Sequence, residues 1–194
     1  MITDEINMEL LDQVKKSAPY VVAALVIVAG YYGIKNYMAS RKVAASQAIT
    51  SAYTADELEA AVEKYGSSDS GTALKLKLAK KYFDADRYEE ALELYTSLIG
   101  KVDAAFADIP VVGKAQTLEA MGKIDEATTA YDTFVNENPN SFLALTAQLG
   151  LARCVAMTDK EGALKRLEEL KELVKDDAAK LARVEALTDV ITRK

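Results

Sequence analysis

The chain has 194 residues, with 24 basic and 30 acidic side chains, no histidine, one cysteine, nine glycines and three prolines. That length fits one domain with an appendage, and Gly and Pro are far too scarce for a turn-rich strand fold. The missing histidine, the lone cysteine and a net charge of −6 argue against an ordinary metal site, an intrachain disulfide and a nucleic-acid surface, leaving a helical, alanine-rich chain expected to bind rather than catalyse.

The chain opens on a short acidic tail, residues 1–17. Ile6, Leu10 and Val14 recur at i, i+4 and i+8, with Asp4 and Glu5 where a first helical turn favours acids. The pattern fits either an amphipathic helix or a frayed tail. From Ala18 to Ile34 the chain reads APYVVAALVIVAGYYGI, without a charge. As helix this is about 25 Å, slightly short of a hydrocarbon core of about 30 Å. Lys15, Lys16 and Lys35 can reach the headgroups and close the gap. Tyr20, Tyr31, Tyr32 and Tyr37 mark the two interfaces, and Pro19 is expected in the first turn, where its missing N–H costs nothing. A cleaved signal peptide wants a basic start and a small-x-small site; here the start carries Asp4, Glu5, Glu9 and Asp12, and Lys35-Asn36-Tyr37 follows the core. The segment is expected to be an uncleaved transmembrane anchor. Its flanks, Lys15 and Lys16 against Lys35, Arg41 and Lys42, leave its orientation open.

Residues 35–71 read as a linking helix and a half repeat. Tyr37 to Thr54 carries no helix breaker, and Leu58, Ala61, Val62 and Tyr65 form the apolar stripe of one further helix. Gly66-Ser67-Ser68-Asp69-Ser70-Gly71 is a turn cluster. A self-similar pattern then runs over residues 72–176. Ala79, Tyr82, Tyr88, Ala91, Tyr95 and Leu98 recur 36 residues on as Ala115, Leu118, Ile124, Ala127, Tyr131 and Phe134. Asp86 and Gly122 occupy the turn between the two helices of each unit, and Pro139 closes the second. Leu151, Cys154, Ala163, Leu167 and Leu170 continue the pattern more loosely. The final segment, residues 177–194, carries Leu181, Val184, Leu187 and Val190 between charged residues, as expected of a capping helix with one wet face.

These small and aromatic steps resemble the tetratricopeptide repeat, in which small residues let paired helices touch and large apolar ones fill between them. The expected fold is all-α: one N-terminal transmembrane helix followed by a tetratricopeptide-like solenoid of helical hairpins. The period of 36 against the family's usual 34 puts two extra residues in each unit, in the connecting loops.

No phosphate loop, HExxH, G-x-S-x-G or EF-hand motif is present, so no catalytic residue, cofactor, metal or small-molecule substrate is expected. Cys154 falls at a packing step and reads as an inert buried thiol. Stacked hairpins present an inner face, lined by residues of each first helix that are not packing steps. These are Leu76, Lys80 and Phe83, then Val112, Gln116 and Glu119, then Gln148 and Val155. The set forms a mildly apolar protein-binding groove suited to extended polypeptide, unless the same side chains meet neighbouring helices instead. The full layout is similar to that of the bacterial ancillary subunit of the Sec translocon, through Leu78-Ala79-Lys80, Tyr88-Glu89-Glu90-Ala91 and Ala163-Leu164. That resemblance implies a single-pass protein of the bacterial inner membrane with periplasmic repeats. It also implies partners among translocon components, periplasmic chaperones or unfolded client segments. A membrane-tethered scaffold that binds no client chains is the alternative.

Overall fold

The computed structural model describes residues 2–67 and 71–193, with side chains from Lys15 onward. The tail stripe of Ile6, Leu10 and Val14, and Ser68, Asp69 and Ser70 of the turn cluster, lie outside the described residues in this sense. The fold is all-α. α1 (Ile2–Ser51) is one continuous helix, followed by α2 (Ala55–Tyr65), α3 (Gly71–Asp84), α4 (Tyr88–Leu98), α5 (Asp108–Ala120), α6 (Ile124–Glu137), α7 (Ala144–Val155), α8 (Lys160–Val174) and α9 (Ala178–Arg193). A 3-10 turn, Ala104–Phe106, precedes α5.

Residues 15–51 of α1 are long and apolar enough to cross a membrane, and none of their apolar window is buried against the rest of the chain. Pro19 does not start this helix. It lies 17 residues inside it, because the helix already begins at Ile2. Its ring therefore removes one backbone bond from the helix interior, which costs more than at a first turn.

Beyond the apolar segment the helices pack antiparallel in a tetratricopeptide-like array. Each touches the next in sequence, and the odd-numbered helices also touch one another in succession, α1 with α3, α3 with α5, α5 with α7 and α7 with α9. They form one layer and the even-numbered helices the other. The packing steps read from the sequence occupy the cores: Ala79, Ala91 and Tyr95 form one cluster, and Ala115, Leu118, Ala127, Tyr131, Phe134, Leu151 and Cys154 belong to another. Asp86 (φ 58°) and Gly122 (φ 74°) both turn the chain through the left-handed region, which Gly enters freely and Asp tolerates.

The first hairpin is complete rather than half. Ala45, fully buried on α1, and Ala52 just beyond its end pack with Leu58 and Ala61 of α2 and Leu74 and Leu78 of α3. The end of α1 is therefore the first helix of the array. Its side chains are small, so α2 and α3 approach it closely. Lys77 of α3 caps α1, its ammonium donating to the Ile49 carbonyl and, at 2.7 Å, to the Ala52 carbonyl. A cation there also complements the helix dipole. Across the short turn, Thr54 and Glu57 form a capping box: Thr54 Oγ1 accepts from the Glu57 N–H at 3.2 Å, and Glu57 Oε2 accepts from the Thr54 N–H at 3.1 Å. A further bond from the Tyr53 N–H, at 2.8 Å, helps hold the Glu57 carboxyl below its usual range.

The cap differs in register from the expected stripe. Val184 and Ile191 of α9 are buried, whereas Val190 is 53% exposed. Steps of i+3 fall about 60° short of a full turn and sweep off the face, while i+7 returns to it.

A candidate protein-binding groove on the odd-numbered helices

The C-terminal halves of α3, α5 and α7 place Phe83, Gln116, Glu119, Ala120 and Arg153 around one shallow groove of about 340 Å³. Three residues expected to line an inner face, Phe83, Gln116 and Glu119, are thus brought together from two successive units. Phe83 is half-buried, meets Tyr88 edge-on at 5.7 Å between ring centres, and carries the Lys80 ammonium 5.6 Å above its ring. Lys80 itself is exposed and paired with Asp84 one turn on.

The groove floor is held by a buried-edge triangle. Arg153 Nε and Nη2 grip Glu119 as a fork, at 2.6 and 2.9 Å, and the Tyr131 hydroxyl donates to Glu119 Oε2 at 2.8 Å. This ties α5, α6 and α7 together across two units. Burial, and then the Glu119 charge, hold the Tyr131 hydroxyl far above its usual range, while the bond to Glu119 raises Arg153. Glu119 is therefore already partnered; what it offers a ligand is a neutralised carboxylate beside a half-exposed guanidinium.

Glu119 and Arg153 also border a second hollow of about 420 Å³, lined further by Ile124 of α6, Met157 of the turn after α7, and Leu187 and Val190 of α9. The two hollows share that ion pair, the first pairing Phe83 with the polar Gln116 and the second being mainly apolar around Ile124, Met157, Leu187 and Val190. Sequence reasoning missed Arg153, Met157 and Leu187 as members of this face. A signal was available: Glu119 and Arg153 are opposite charges 34 residues apart, close to one 36-residue unit, on the first helices of consecutive units.

Other expected groove residues lie elsewhere. Val112 is 2% exposed within the core of α5, α6 and α7, and Leu76 is half-buried against Ala79, Ala91 and Tyr95. Gln148 lines a separate cleft with Val135, Leu170 and Leu173. All three stand three positions before a packing step, and i and i−3 share a helix face. They therefore turn towards the second helices instead of the groove. Val155, partly buried, packs against the cores on both sides of α7.

Cys154 is buried at the groove floor. Its thiol is pushed up from 9.0 to about 11 by burial and then by Glu119, so the nucleophilic thiolate is suppressed. Tyr95 rises in the same sense from 10.0 to about 12, mainly by burial. In each group the neutral form is favoured by the fold. Their contribution to stability is present below the unfolded values and is lost as pH rises through about 9 to 12. Thermal unfolding of the full chain is expected to shift to lower temperature between pH 8 and pH 11 by several degrees, roughly, with little change between pH 7 and pH 8. A flat profile up to pH 11 would contradict the burial of these two groups.

Residues 112–141, which are most of α5, α6 and the start of the following loop, match the tetratricopeptide repeat family. No curated protein and no solved structure matches the chain.

Proposed function

We propose that this chain is a membrane-anchored tetratricopeptide-repeat protein whose odd-helix groove binds extended polypeptide, as an ancillary subunit of a protein-export channel. Repeats of this family mediate protein–protein binding, which makes the groove the natural place for a partner. The observation that carries the reading is the pair of adjoining hollows on either side of the Glu119–Arg153 pair, one at Phe83 and Gln116, the other at Met157 and Leu187. The Phe83 ring and the apolar hollow at Met157 and Leu187 accept varied side chains, and an ion pair whose charges are mutually neutralised repels neither acidic nor basic segments. Such a surface gives broad, weak recognition instead of one tight fit. The exposed apolar helix ahead of it anchors the array beside the membrane where chains emerge. The alanine-rich layout and its resemblance to the translocon subunit supply the choice of export channel and the periplasmic side.

The test is photocrosslinking in cells from a photoreactive residue at Gln116, a partly exposed groove position. Many nascent secreted chains, together with channel or chaperone components, are the expected products. A single abundant structural partner with no nascent chains would overturn the export reading and favour a scaffold.

A further inference from the structure

Antiparallel alternation gives the stack two edges. α1 runs outward from its apolar segment and α2 returns, and Arg41 of α1 donates to the Lys64 carbonyl at the returning end of α2. Each later hairpin repeats the alternation, so residues 99–107, 138–143 and 175–177 lie at the edge from which α1 leaves. The turns within hairpins lie at the other edge.

Among the described residues, seven large apolar side chains outside α1 are exposed, three towards the other edge and four on or beside the α1 edge. Met157 and Val190 line the groove, and Tyr53 lies under the Lys77 ammonium. Among the described residues the remaining four, Ile99, Phe106, Phe142 and Leu173, all fall on or beside the α1 edge, with Phe106 52% and Phe142 67% exposed. Phe106 and Phe142 stand 36 residues apart, one per unit, so the array presents aromatic rings in series. Cation–ring pairs stand at both edges, and where the α1 edge begins Arg41, half-buried, lies 5.9 Å from the Tyr37 ring centre and 6.0 Å from that of Tyr65, with Lys64 over Tyr65 at 5.2 Å. Aromatic rings beside cations are the side chains that favour the bilayer interface.

The spacing fits. Arg41 stands seven residues beyond Ile34, a rise of roughly 10 Å, against a headgroup layer of roughly 5–8 Å per leaflet. α1 passes without a break into the first hairpin, so the array cannot swing freely away from the surface. We propose that the inter-hairpin edge of the array lies on the membrane that α1 spans, with Phe106 and Phe142 seated among the lipid headgroups. The proposal rests on α1 being a membrane anchor and assigns the array a fixed posture, leaving its groove turned away from the lipid.

The full chain is reconstituted in mixed phosphatidylcholine and phosphatidylglycerol vesicles as the variants Phe106→Cys, Phe142→Cys, Met157→Cys and Val26→Cys, each labelled with an environment-sensitive dye. Buried Cys154 stays unlabelled in the native chain. Lipids spin-labelled near the headgroup are expected to quench the dye at 106 and 142 about twofold more than at 157, on the opposite edge, and chain-labelled lipids to quench it at 26. Equal, weak quenching at 106, 142 and 157 with strong quenching at 26 would overturn the proposal and leave the anchor standing. Loss of quenching at 26 as well would overturn both.

Discussion

Replacing Gly150 by valine is expected to cost about 3 kcal/mol and to lower the thermal midpoint of the full chain in detergent by roughly 6–12 °C. A Cβ at Gly150 would meet the Tyr131 ring at 2.4 Å, and one at Gly113 would meet the Tyr95 ring at 2.6 Å. In each case a tyrosine from the second helix of one unit lies flat against the bare backbone of the first helix of the next. Tyr131 is fully buried and bonded to Glu119, so its ring has nowhere to retreat. Gly150→Ala should lose less, because the helix gains about 1 kcal/mol of propensity against the same clash. In a Tyr131→Leu background the valine should cost markedly less than in the parent, since neighbouring substitutions that share a contact are not additive. An unchanged midpoint for Gly150→Val would refute the ring-on-glycine contact as a joint of the array.

The second large effect is expected at the other end of the array. Ala45→Asp would bury an unpaired carboxylate among Leu58, Leu74 and Leu78, at a cost of about 3 kcal/mol or more. The end of α1 should then undock from α2 and α3, taking with it the Lys77 cap on the Ile49 and Ala52 carbonyls. Trypsin cleavage after Arg41 and Lys42 should quicken about a hundredfold, since cleavage follows the population of the opened state. Ala45→Ser, which adds a smaller group able to bond back to its own helix, should change the rate far less. If Ala45→Asp is cut no faster than the parent chain, the end of α1 is a linker and not the first helix of the array. That outcome would also remove the rigid connection on which the membrane-facing edge depends.

Much of the architecture was legible in residue order. The apolar run from Ala18 to Ile34, the packing steps from Ala79 to Leu170, and the turns at Asp86 and Gly122 each depend on which face of a helix is apolar or on one residue's backbone freedom. Such features are set within one or two helical turns, where a period of 3.6 is readable. The tertiary structure alone decided the rest. It made the end of α1 a member of the first hairpin, sent Val112 into the core, seated Tyr131 on Gly150, and joined Glu119 to Arg153. Each of these depends on how one helix meets another, in the same hairpin or the next, 13 to 34 residues away in the chain. Pairing across that distance follows from the angle and depth at which hairpins stack. No local period encodes that geometry, and the groove is where it is expressed.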